Sequence, residues 1–556
     1  MKLKLIALLI AGLLTGELIA QDRYVVFFTD KNNSPYSTAN PLQFLSQRAI
    51  DRRNNQNITI DQTDFPVNPT YVQGLINAGA TVLNTSRWFN AAIIYTTSPA
   101  ILTAINQLPY VQTSTNVGRI RNTTLPSGKL EVNFQNPKLD IPVARQSNAA
   151  SFNYGFSDNQ INMIGLSSLH DQGYMGEGML IAVLDAGFLD APLMTCFDSL
   201  FADNRIVSTW DFVDNESDVY DDHYHGAAVL SCIASIVPDT LIGTAPHASF
   251  ILLRSEDANT EFIIEEYNWS VAAEYADSAG VDVINSSLGY TTFNDASQDH
   301  TYPMMNGDQN PATIAADMAA KKGILVVNSA GNEGSSNWNY ISAPADADSI
   351  LAVGAVNDAG QYANFSGNGP SFDGRVKPDV AARGQNTWLY SPYSNNQPTM
   401  ANGTSFSSPI MAGAVTCLWQ AWNSKNNMEI IQAVKRSANQ FSNPDTLLGY
   451  GIPNFTLANS LLNLGEYTLP GNVTMHLFPN PWNGEGTLTV LYYAQTGEQL
   501  EIEIIDLSGR LVYSSSTSTI NGAFNKLEIP ARLSNGAYLI NFREGNLQTT
   551  AKLIRY

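Results

Sequence analysis

Five short, dominantly apolar runs punctuate the middle of the chain, at positions 180–184, 250–253, 281–284, 324–327 and 350–353, interrupted only by Asp282. Runs this short, without alternation, suit strands buried on both faces of a parallel sheet. Between them lie stretches with helical spacing, at about 262–279 and 312–322. The alternation predicts an α/β layer architecture with right-handed crossovers. The first 120 residues have a different texture. Strand-like segments at 24–28, 81–83, 91–95 and 110–112 are interleaved with helical stretches at about 41–54, 71–78 and 100–108, which predicts a small α+β unit of the split-βαβ kind. A polar stretch rich in Asn, Pro and Ser, at 121–153, has no periodicity and is the zone where cleavage is expected. From about residue 472 the pattern becomes alternating, at 486–492, 500–505 and 538–542, with turn signals at Ser508-Gly509 and Asn535-Gly536. This predicts a closing β-sandwich.

The N-terminus reads as an export signal. Lys2 and Lys4 precede an apolar run at 5–14, and Ala20 supplies a small residue ahead of cleavage at Gln21. Gly12, Thr15, Gly16 and Glu17 break that run, leaving it too short for about 30 Å of hydrocarbon. A length of 556 residues, 44% of them apolar and 14% charged, indicates several folded domains. The excess of 50 acidic over 29 basic residues, a net charge of −21, argues against nucleic acid as a partner. Export permits disulfides, yet only Cys196, Cys232 and Cys417 occur, which excludes a disulfide framework and predicts buried, inert thiols.

Four separated segments carry the chemistry: Ile181-Ala-Val-Leu-Asp185-Ala-Gly187, His225-Gly226, Asn328-Ser-Ala-Gly-Asn332-Glu-Gly334 and Gly403-Thr-Ser405-Phe-Ser-Ser-Pro409. They offer a carboxylate, an imidazole, a side-chain amide and a hydroxyl, the parts needed for acyl transfer by an activated serine. In the order Asp, His, Ser and with these flanking residues, the constellation resembles the subtilisin-like serine peptidases, the subtilases. The resemblance implies an α/β fold with a parallel-sheet subtilisin-like catalytic domain at 151–468. The α+β unit and linker at 21–150 are then expected to be a propeptide acting as an intramolecular inhibitor, behind a signal peptide at 1–20. The segments Phe478-Pro-Asn-Pro481, Asp506-Leu-Ser-Gly509, Leu533-Ser-Asn-Gly-Ala-Tyr538 and Lys552-Leu-Ile-Arg-Tyr556 resemble the C-terminal sorting domain of the Bacteroidetes type IX secretion system. That assigns 472–556 to export and makes the secretion machinery a partner, with the protein secreted or held at the cell surface.

On this resemblance Ser405 is the nucleophile and polypeptides are the substrates. His225 is the general base, favoured over His223 because it alone is followed by glycine and a helical run. Asp185 holds the imidazole tautomer, and Asn332 donates to the oxyanion. Ala186 stands where the family usually has Ser or Thr, so a hydroxyl near the Asp185 carboxylate is missing. Ser287-Leu288-Gly289 resembles the strand that pairs with an extended substrate backbone. Pro409 is expected early in the helix that follows Ser405. No cofactor is required for this chemistry and no metal ligand is assigned. The acidic run Asp211, Asp214, Glu216, Asp218, Asp221 and Asp222 reads either as a solvated loop or as a structural calcium site. Two other readings are an inactive subtilase-fold protein that binds peptides or surfaces, and an acid peptidase of the sedolisin type. The second is contradicted by His225 and Asn332.

Overall fold

The computed structural model describes residues 22–119, 153–464 and 475–556, the last without 479, 484–487, 495, 497–498, 520–523 and 530–532. The expected export signal, and the linker but for its last residue, lie outside the described residues. The chain forms two compact units, one of residues 22–35 with 66–119 and the other of 36–65 with the chain from 153 onward.

In the first unit, strands Thr81–Ser86, Ala91–Thr96, Asp22–Phe28 and Val111–Arg119 pair in that order, all antiparallel. Helices Pro69–Asn77 and Pro99–Asn106 each open on proline, where the missing N–H has no helical partner to lose. Val26, Phe28, Leu75, Ile94 and Ile105 form its core. This is the expected split-βαβ unit.

The second unit is built on seven strands: β1 Leu180–Asp185, β2 Ile206–Asp211, β3 Ser249–Arg254, β4 Val283–Ser286, β5 Leu325–Ser329, β6 Leu351–Val356 and β7 Val380–Arg383. Their order is β7-β6-β5-β4-β1-β3-β2, and every pairing is parallel. All but β2 are buried throughout; β1 and β3 to β6 coincide with the five apolar runs, whereas β7, the short Val380-Ala-Ala-Arg383, has no such run to mark it. β2, at the edge and half-buried, alternates too weakly to stand out in the sequence. The chain leaves β1 for β2 and β3 on one side and returns to β4 on the other. The order therefore reverses at β1, and in such sheets ligands bind beyond the carboxyl ends at that point.

Six helices matter below: α1 Gln47–Asn55, α2 His225–Ala234, α3 Ile264–Ala279, α4 Pro311–Lys321, α5 Thr404–Ala421 and α6 Asn427–Arg436. α5 is buried from Thr404 to Trp419 and forms, with α2, much of the core against the sheet. Cys196, Cys232 and Cys417 are all free and buried, and burial pushes the Cys232 thiol up to about 12, as expected of inert thiols.

Residues 36–65, read from the sequence as part of the first unit, pack instead with the second. The join is ionic. Arg53, fully buried on α1, contacts Asp64 at 2.7 Å and Asp277 of α3 at 2.8 Å. Arg52 also pairs with Asp277, and Lys322, just past α4, reaches Asp64 at 3.0 Å. A helix with so charged a buried face carries no apolar stripe to announce its partner.

The C-terminal region has a three-stranded sheet of Met475–Phe478, Leu488–Tyr493 and Phe524–Ile529. A four-stranded sheet follows, in the order Leu511–Ser518, Gln499–Asp506, Gly536–Glu544, Leu547–Arg555. Leu488, Val490, Ile502, Ile504, Ile540 and Phe542 share one core, consistent with the expected sandwich. Gly536 opens a strand rather than sitting in a turn.

Candidate active site

Asp185 is the last residue of β1, and His225 is the first of α2. The His225 Nδ1–H donates to Asp185 Oδ1 at 2.7 Å. Two glycines bring the helix start this close. The Gly226 N–H donates to Gly187 O at 2.9 Å, and a Cβ on Gly226 would stand 2.4 Å from that oxygen and 2.9 Å from the Asp185 Cβ. Gly187 itself has φ +135°, and a Cβ there would meet the His223 nitrogen at 2.6 Å. The Asp-x-Gly and His-Gly spacings are thus packing requirements of the pair. His223 takes no part: its ring lies 6.4 Å from that of His225, and burial lowers its pKa.

Asp185 is fully buried; its Oδ1 also accepts the Ala186 N–H at 2.8 Å, while Oδ2 has no hydrogen-bond partner. The missing hydroxyl at position 186 and the orphaned oxygen agree. For His225, burial is the largest influence and lowers the pKa, but the Asp185 charge and hydrogen bond, with the Glu256 charge, outweigh it and raise the pKa above 6.5. The second carboxylate acting on the ring is therefore Glu256, not the acidic run that precedes it in sequence.

That run is organised around a residue the sequence did not flag. Arg254, at the end of β3, contacts Asp211 at 2.6 Å, Asp214 at 2.7 Å and Asp222 at 3.1 Å. Asp211 is fully buried, and the guanidinium fills the space between the three carboxylates. The run is neither simply solvated nor open to a cation at that point; Asp214, Glu216, Asp218 and Asp221 are exposed.

Ser405 is the second residue of α5 and 7% exposed, with the ring of neighbouring Phe406 centred 5.9 Å from that of His225. Pro409 lies inside this helix rather than at its opening. Having no N–H, it leaves the Ser405 carbonyl without its i+4 donor, and Ser287 Oγ–H donates to that carbonyl instead, at 2.9 Å. Ser405 Oγ lies 3.4 Å from Ser287 O. One bond pair thus ties the segment after β4 to the serine.

Asn332, exposed, follows β5 by three residues. Its Oδ1 accepts from the Thr404 N–H at 2.8 Å and from Thr404 Oγ1 at 3.0 Å. The backbone N–H can only donate, which requires the oxygen on that side, so the amide presents Nδ2 as a free-facing donor. Thr404, not singled out in the sequence, sets this orientation from within the Gly-Thr-Ser motif. Leu288 O accepts from Asn328 Nδ2 at 3.3 Å and Ser329 Oγ at 3.4 Å, which fixes the Ser287–Gly289 segment. A Cβ on Gly289 would fall 2.2 Å from Ser342 Oγ, and among the described residues neither backbone group of Gly289 is hydrogen-bonded.

Comparison with known proteins divides the chain into three regions, and the first along the chain includes residues 36–65, which pack with the second structural unit. Residues 176–451 match the model of the subtilase family, 23–130 that of the peptidase S8 propeptide domain of Bacteroidota, and 476–555 that of a secretion system C-terminal sorting domain. The chain is 31% identical over 282 residues to subtilisin from Bacillus pumilus, covering 50% of this chain and 90% of that protein. It is 28% identical over 293 residues to the thermostable alkaline protease of Halalkalibacterium halodurans, covering 52% and 70%. Against subtilisin E of Bacillus subtilis the identity is 31%, covering 51% of this chain and 66% of that protein. Among solved structures, MycP1 from Mycobacterium smegmatis superimposes with a TM-score of 0.43 at 21% identity, covering 59% of this chain and 90% of that one.

Proposed function

Because this chain belongs to the subtilase family of serine peptidases, we propose that it is a secreted endopeptidase working through Asp185, His225, Ser405 and Asn332. The observation that carries this reading is the 2.7 Å Asp185–His225 bond at the point where the strand order reverses. The Ser405 hydroxyl attacks the scissile carbonyl carbon as His225 Nε2 takes its proton. Asp185, bonded to Nδ1–H, steadies the imidazolium. The oxyanion that forms accepts from Asn332 Nδ2 and the Ser405 N–H. Collapse expels the amine, protonated by His225, and leaves an acyl-enzyme. Water, deprotonated by His225, then attacks the ester and returns Ser405 to its starting state. No cofactor enters this chemistry.

Gly289, with its unpaired backbone groups, is the position where an extended substrate adds as a strand beside Ser287 and Leu288. The propeptide domain at 23–130 supports its role as an intramolecular inhibitor, and the sorting domain supports passage through type IX machinery to the surface or medium. The unpartnered Asp185 Oδ2 favours one alternative, a weakly active or inactive peptide-binding subtilase fold. An organofluorophosphonate probe separates the two. Processed enzyme should be labelled at Ser405, and Ser405→Ala should lose labelling and hydrolysis while melting within a few degrees of wild type. Absence of labelling in processed wild-type protein would establish the inactive reading.

A further inference from the structure

Beside the triad, a second group of carboxylates has no protein cation at its centre. Glu256 stands two residues past β3, Glu261 lies in the loop that follows, and Glu265 is the second residue of α3. One oxygen from each lies within 4.8 Å of the others. Glu265 is 1% exposed, and its Oε2 accepts no hydrogen bond. Glu256 takes a single neutral donor, the Tyr290 hydroxyl, at 3.0 Å. The contrast with neighbouring acidic groups is sharp. Glu266 is satisfied by His300 Nε2 at 2.5 Å and by the Ala312 N–H at 3.0 Å. Asp211, Asp214 and Asp222 surround Arg254. Among the described residues no Lys, Arg or His forms an ion pair with Glu256, Glu261 or Glu265.

We infer that Glu256, Glu261 and Glu265 form a divalent-cation site, suited to calcium, next to the catalytic strand ends. Two oxygens on one calcium at about 2.4 Å can be no more than about 4.8 Å apart, and the three carboxylate oxygens here all lie within that limit. The orphaned Glu265 oxygen supplies the buried ligand. The half-buried Glu256 and Glu261 close two sides and leave the rest of the shell to water, as a hard cation with many oxygen ligands allows. In the absence of a cation, burial is the main influence and raises the pKa of all three carboxyls. The Glu256 charge raises Glu261 and Glu265 further, while at Glu256 the Tyr290 hydrogen bond works against burial and the Asp185 charge adds to it. An external cation removes that conflict, whereas the helix start at Glu265 can offset only part of one charge. The inference does not depend on catalysis.

The test uses the full-length Ser405→Ala chain, which cannot digest itself, stripped of metal with a chelator and then titrated with calcium chloride. Bound calcium is counted by equilibrium dialysis at about 1 mM, the upper affinity range of extracellular sites, and melting is followed in parallel. Glu261→Gln and Glu265→Gln should each bind one calcium fewer than the parent and lose the matching rise in Tm. Without calcium, Glu265→Gln should melt no lower than the parent, because an amide needs no cation. Glu261→Gln, on the half-buried loop, keeps the test decisive should Glu265→Gln fail to fold. Equal calcium counts in parent and variants, or no binding by the parent, would overturn the site. A third outcome would overturn it equally: unchanged calcium binding, with active-enzyme variants that lose a preference for Lys or Arg beside the scissile bond. The cluster would then be a pocket for a substrate cation.

Discussion

Asp185 meets its partners through one oxygen, one of them His225, the proposed general base. The imidazole is held above 6.5 by Asp185 and Glu256 against the lowering effect of burial. Only the neutral ring can accept the serine proton, so hydrolysis of an uncharged peptide should climb about tenfold per pH unit below that raised pKa and level off above it. The linkage to stability has the opposite sign. The imidazolium stabilises the fold fully below the unfolded value of about 6.5, and that contribution is lost as pH rises through the folded pKa, the range in which activity emerges. A rate unchanged between about pH 5 and 9, with the enzyme folded throughout, would exclude His225 as the base. Asn332 is the complementary case. Thr404 fixes its oxygen, so Nδ2 is aimed before substrate arrives. Asn332→Ala should lower kcat by about 10² to 10³ with little change in KM, the loss of a bond made chiefly in the transition state. A kcat within about threefold of wild type, after active-site titration, would remove it from the mechanism.

At the scale of elements, what could be read in the sequence was whatever has a local signature. The buried strands β1 and β3 to β6 coincide with short, dominantly apolar runs, and the segments of the proposed triad sit at strand ends and helix starts that glycines mark. What escaped depends on partners distant in the chain. Arg254 gathers acidic residues from the end of β2 and the loop that follows it, Ser287 completes a bond that Pro409 removed from α5, and α1 docks through buried charge. Each is a tertiary solution to a local deficit, invisible to periodicity. The α1 network gives the clearest prediction. Arg53 is wholly buried between Asp64 and Asp277, so Arg53→Ala leaves buried carboxylates short of a partner and should cost about 3–5 kcal/mol. Arg48, on the same helix and pairing with Asp282, has a side chain 29% exposed, and Arg48→Ala should cost no more than about 1 kcal/mol. Urea unfolding of the unprocessed Ser405→Ala chain measures both. Equal losses would show that the network adds nothing beyond surface pairing.

Across the whole molecule the functions are divided among cores that do not share side chains. The peptidase core runs from Tyr154 to Leu462, and the C-terminal core begins at Leu477. Asp185, His225, Asn332 and Ser405 all belong to the former region, and the sorting-domain match at 476–555 belongs wholly to the latter. Deleting the chain from residue 475 removes one core intact and leaves the other without a cavity, since no buried side chain of the peptidase core is taken away. The truncated protein, produced in the cytoplasm or refolded, should therefore keep fluorophosphonate labelling and a melting temperature close to that of the full chain. In the native cell it should fail to reach the surface or medium, because the segment that matches the sorting domain is gone. Fractionation with an antibody to the catalytic region measures this directly. Unimpaired export of the truncated chain would take the sorting role from the tail, and loss of labelling in purified protein would show that the two cores depend on each other after all.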